Sequence, residues 1–139
     1  MKFKTLSFLL FSIIISSCTK QGEFTTPQNE NTVIVANTIL LKNGMFNPTS
    51  GITVSGNAEL RMKDSGRFIL LKDFSVSAGP DLKVYLSKKD TPSDFINLGS
   101  FDPQKGIYNI PDGVAATDYD YVLIFCQQYS HLFATAKLN

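Results

Sequence analysis

Between Asn57 and Lys63 the sequence NAELRMK alternates strictly, with Ala58, Leu60 and Met62 on one side and Asn57, Glu59, Arg61 and Lys63 on the other. That period of two predicts a strand with one buried face. Asp64, Ser65 and Gly66 supply turn chemistry before Phe68 to Val76, FILLKDFSV, which opens as a continuous apolar run, so the two segments read as a hairpin. Gly79-Pro80-Asp81 punctuates the chain again, and Leu82 to Leu86 reads as a third short strand. Leu98–Phe101, Ile107–Ile110, Tyr121–Cys126 and Leu132–Leu138 continue the pattern at intervals of about 10 residues, as expected of an all-β domain. Val33–Leu41, VIVANTILL, is the expected first strand, although its apolar spacing also allows a helix. Thr91-Pro92-Ser93-Asp94 is expected to begin one helical turn, because Ser93 can cap and Pro92 cannot donate. The expected fold is an antiparallel β-sandwich of about seven to nine short strands spanning residues 32–139.

Ahead of this domain the pattern changes. Lys2 and Lys4 precede a mostly apolar run from Leu6 to Ile15, LSFLLFSIII, followed by Ser16, Ser17 and Cys18. Charge followed by an apolar run is the layout of a signal peptide, and ten helical residues rise only about 15 Å, half of a bilayer's hydrocarbon layer. The string Ile15-Ser16-Ser17-Cys18 resembles a bacterial lipobox. The resemblance implies cleavage after residue 17, a diacylglycerol on the Cys18 sulfur and an acylated amine, and two or three chains anchor stably where one is marginal. A plain secretory signal with an incidental cysteine, or a short uncut anchor, is the competing reading. Residues 18–31 read as a lipidated end and a polar tether, with Gly22, Pro27 and no periodicity. Fully extended, that tether spans at most about 43 Å. Thr19 in place of aspartate matches the sorting pattern of enteric bacteria for the outer membrane, so a lipid-anchored protein of the cell envelope is expected.

Composition removes several classes of function. The 139 residues are 43% hydrophobic and 18% charged, a folded domain rather than a disordered chain. Basic and acidic residues number 13 and 12, so no basic field exists to bind nucleic acid. GxGxxG, P-loop, GxSxG and HExxH motifs are absent, and a single histidine rules out any site needing two imidazoles. A stand-alone enzyme is therefore not expected. Asp118 and Asp120 fall short of the 6 to 8 oxygens a calcium ion takes and read as a solvated turn. The five tyrosines read mainly as core or cross-strand partners, with a binding surface as the alternative.

What remains is Cys126, at the end of the apolar segment YVLIFC. The succession GMF (44–46), VSGNAEL (54–60), FILLKDFSVSAGPDLKVYLS (68–87), NLGSF (97–101), GIYNIP (106–111) and YVLIFCQQYSHLFATAKL (121–138) resembles the electron-transfer DM-thirteen domain. The resemblance spans residues 44–138. It implies an all-β domain, sometimes found beside DOMON domains, with one hallmark cysteine acting as a bare thiol or through a prosthetic group. Carried onto this chain, the hallmark is Cys126, and Gly79, Pro80 and Asp81 match the family's central motif, which reads as a backbone-shaping turn. The family commonly has tryptophan just before the cysteine; Phe125 stands there and has no indole donor.

Two accounts of Cys126 follow. Cysteine is often a small buried hydrophobe, inert among apolar neighbours. An unpaired thiol in an oxidising envelope is also a reactive group. His131 follows five residues later. If Gln127–Ser130 form a four-residue hairpin loop, Cys126 and His131 become cross-strand partners and offer two soft donors to copper or haem iron. If the strand runs straight through, they lie on opposite faces. With Cys18 lipidated, one mature cysteine cannot complete a dithiol cycle, so a redox role needs a partner protein. The competing reading is a non-catalytic binding or adhesion module of the envelope with a structural Cys126.

Overall fold

The alternation in β2 (Val54–Lys63) places Ala58 and Leu60 inward, where both are fully buried. An Asp64-Ser65 turn, with Asp64 at positive φ, returns the chain into β3 (Gly66–Val76), and Lys63 pairs with Gly66 across it. The computed structural model describes residues 35–139 and contains six further strands: β1 (Ile39–Pro48), β4 (Leu82–Ser87), β5 (Phe95–Ser100), β6 (Ile107–Asn109), β7 (Tyr121–Cys126) and β8 (His131–Lys137). The lipobox, Cys18 and the tether lie outside the described residues.

All eight strands join in one antiparallel sheet in the order β5-β4-β7-β8-β1-β2-β3-β6. β1 serves both halves. Its residues from Ile39 to Met45 pair with β2, and Phe46 to Pro48 pair with β8. Gly44 sits at the changeover, where an added Cβ would lie 1.9 Å from the Lys137 backbone oxygen, so only glycine lets β1 and β8 approach this closely. The sheet thereby curls until its edge strands β5 and β6 meet, a nearly closed form of the expected sandwich.

Leu60, Ile69 and Tyr108 from one half meet Val84, Leu86, Val122, Ile124 and Ala134 from the other in one apolar core. Complete burial of a single leucine or isoleucine contributes about 1.5–3 kcal/mol.

Three local expectations are corrected. The first strand is not Val33–Leu41: Ala36 and Asn37 form a turn, β1 starts at Ile39 and runs on to Pro48, and Ile39 is 59% exposed. Apolar content in that run is not a record of burial. Thr91–Asp94 is a series of bends rather than a helical turn, because the Ser93 N–H and the Ser87 hydroxyl both donate to the Thr91 carbonyl, at 2.7 and 3.1 Å. The described residues do contain a 3-10 turn, at Ala116–Asp118. Finally, the polar side of β2 is covered: Glu59 and Arg61 are buried as an ion pair, with Arg61 Nε donating to Thr38 Oγ1 at 2.7 Å.

Candidate functional site

Cys126 is the last residue of β7, and the alternation that turns Val122 and Ile124 into the core turns its side chain inward as well. Its exposure is 0%. Leu82 on β4 is its register partner on one side and His131 on β8 its partner on the other. Gln127–Ser130 do form the four-residue loop, closed by the Ser130 N–H to the Gln127 carbonyl at 3.4 Å, so the cross-strand alternative holds.

The partnership does not place both side chains in one environment. A bulge in β8 leaves Phe133 without a register partner in β7, and Phe133 and the following Ala134 are both buried in the core. His131 is exposed at the rim, its imidazole edge-on to the Phe133 ring at 5.4 Å and 72°. The thiol lies in the apolar interior.

The Gly79-Pro80-Asp81 turn belongs to the same end of the sheet. A Cβ on Gly79 would lie 2.7 Å from Leu82 Cδ2 and 3.0 Å from Phe133 Cζ, so the absent side chain makes room for the register partner of Cys126 on β4 and for the bulged residue of β8. The Asp81 carbonyl accepts the Gln127 N–H at 2.9 Å, tying this turn to the residue after the cysteine. The Asp81 carboxylate pairs with Lys83 at 2.7 Å. What this turn shows is close packing at Gly79, a backbone bond at the Asp81 carbonyl and a surface ion pair.

Phe125 precedes the cysteine on β7 and is only partly buried. Its ring stacks on Tyr85 at 5.5 Å, and Tyr85 stacks on Phe95 at 4.2 Å. Burial pushes the Tyr85 phenol above its ordinary range. The tyrosines do not share one binding surface: Tyr85 and Tyr108 are buried, whereas Tyr129 is exposed. Asp120 is engaged by Lys42 at 2.7 Å, and this hydrogen bond holds its carboxyl below the usual carboxylate range. No cluster of three His, Cys, Asp or Glu residues occurs among the described residues.

These residues do not fit a haem or a copper ion at Cys126. The sulfur is enclosed in the core, its strand neighbours are Leu82 and the exposed His131, and no group of three metal-ligating side chains gathers there among the described residues. The adjoining cleft of about 470 Å³ runs past Val76, Gly79, Pro80 and Phe101, and Cys126 is not among its walls. What the arrangement does offer is a single sealed thiol at a strand end, beneath two turns joined by one hydrogen bond.

A family model described as Electron transfer DM13 matches residues 45–138. No curated protein and no solved structure matches the chain.

Proposed function

The chain belongs to the electron transfer DM13 family, and from that premise we propose that it is an envelope-anchored lipoprotein whose domain exchanges electrons with an external partner through the Cys126 thiol. The observation that carries this reading is the position of the sulfur: it ends β7, and the Gln127 N–H to Asp81 carbonyl bond links the two turns beside it. Local opening of those turns exposes the thiol without dismantling the sheet. The Cys126 thiolate then attacks a disulfide of the partner. A mixed disulfide forms, the partner's other sulfur leaves as a thiolate, and the proton lost by Cys126 ends there. Since the mature sequence holds no second free cysteine, a thiol from outside must release the mixed disulfide. Cys18 serves as the lipid attachment point and residues 18–31 as the tether, with the outer membrane as the destination.

The test is labelling of the native mature protein with a thiol reagent across a urea series. A labelling rate at low urea that does not follow global stability supports local opening. Labelling only through global unfolding overturns the redox reading. For the anchor, mass spectrometry of the mature N-terminus is expected to find a diacylated Cys18; cleavage elsewhere overturns it.

The complete burial of Cys126 favours a second reading, a binding or adhesion module in which the sulfur only packs. That reading predicts partner binding unchanged in Cys126→Ala and no redox phenotype.

A further inference from the structure

At the opposite end of the strands from Cys126, the β2–β3 hairpin, β6 and the three residues following it enclose a cleft of about 660 Å³, within the range of small-molecule sites. Phe68, Ile110 and Pro111 give it an apolar wall, and Lys63, Arg67 and Asp112 supply its charges. The backbone there is fixed: Phe68 pairs with Asn109, and the Ile110 N–H donates to the Arg67 carbonyl at 2.9 Å.

Arg67 is the unusual member. Its Nε is buried and has no hydrogen-bond partner, and among the described residues its guanidinium joins no ion pair. Buried donors are nearly always satisfied, because one left unmade costs about 1–3 kcal/mol. Arg61, by contrast, is paired with Glu59 and bonded to Thr38. Two cations against one carboxylate leave the cleft net positive. A guanidinium fork suits the paired oxygens of a carboxylate or phosphate, and an apolar wall suits a flat hydrocarbon body.

We propose that this cleft binds an amphipathic organic anion, a carboxylate or phosphate carried on an apolar body, with Arg67 and Lys63 holding the anionic group. The site is independent of the thiol chemistry and lies away from it, so each reading stands or falls separately.

The probe is naphthalene-2-carboxylate, titrated into the full mature chain by calorimetry and by amide NMR, with naphthalene-2-carboxamide as its neutral counterpart. The expected result is saturable binding that shifts the amides of Gly66, Arg67, Asn109 and Asp112. Affinity should fall at least tenfold for the carboxamide and for Arg67→Met, and stay unchanged in Lys89→Met, a cation that does not line the cleft. Lys63→Met, an exposed position, supplies a second loss should Arg67→Met misfold. Equal affinity for acid and amide, or for the wild type and both cleft variants, overturns the proposal, as does absence of binding. In a parallel arm, phosphatidylglycerol vesicles that displace the probe in an Arg67-dependent way assign the anion to a lipid headgroup. Vesicles without effect assign it to a soluble molecule.

Discussion

Cys126 and His131 are register partners across the β7–β8 hairpin, yet the thiol is sealed in the core while the imidazole stands at the rim against Phe133. The separation follows from the β8 bulge, which inserts Phe133 into the core just below the pair. Any chemistry at the sulfur therefore waits on movement of its cover.

Cys126→Ala should cost about 1–2 kcal/mol, because it deletes one buried atom from a packed interior. Cys126→Ser should cost about 1–3 kcal/mol more, since it leaves a hydroxyl without a partner in an apolar setting. Urea denaturation of the two variants measures the difference. Equal stabilities would mean that the site already holds polar groups.

Gly79→Ala inserts a methyl group against Leu82 and Phe133. Overpacking of this kind typically costs about 1–3 kcal/mol. The side chains that must give way are Phe133 and Leu82, the latter the register partner of Cys126, so thiol labelling should accelerate by more than the loss of global stability accounts for. Acceleration that merely matches that loss would dissociate the motif from access to the sulfur.

Glu59→Leu should be strongly destabilising, by about 3–5 kcal/mol, because it strands the buried Arg61 charge. Lys72 reaches Glu59 at 3.7 Å but is half exposed and loses little. Adding Arg61→Met to Glu59→Leu should recover most of the stability, and chemical denaturation of both single variants and the double variant gives the coupling.

Tyr108 is fully buried, and burial raises its phenol above the ordinary value of 10.0, although the Asp102 N–H donated to its oxygen at 3.1 Å works the other way. A phenol that ionises less readily when folded binds more protons in the native state above pH 10. Stability should therefore fall as pH rises through about 10 towards the folded value. Tyr108→Phe should flatten that alkaline slope while costing about 1 kcal/mol at neutral pH through the lost hydrogen bond. Thermal melts at pH 7, 9 and 11 test both signs.

Much of the strand content is legible because its causes are local. The alternation in Asn57–Lys63, the Asp64-Ser65-Gly66 turn and the apolar Tyr121–Cys126 run each express a backbone period or a turn preference, and each appears as strand or turn where expected. The β1 boundary is not legible in this way, since exposed Ile39 and Leu40 look like core residues until their surroundings are known. Nor does a period of two reveal which strands become neighbours, so the division of β1 between β2 and β8 emerges only from the fold. The Cys126–His131 pairing is legible conditionally, because it depends on a loop length that sequence leaves open. Arg67 carries no signal at all: beside a turn it reads as a solvated cation, and only the fold shows a half-buried side chain with a covered Nε in a cleft it shares with Ile110 and Pro111.

The division of β1 also bears on how the chain reaches its native state. Phe46 finds Ala136 across roughly 90 residues of intervening chain, and this contact joins the two halves of the sheet. Such a non-local closure is entropically expensive and slow, placing the domain among high-contact-order folders. During folding the β2–β3 hairpin can form early, but the sheet cannot curl shut until β8 reaches β1. Until then the row of backbone groups on β1 that β8 will cover stays open to other chains.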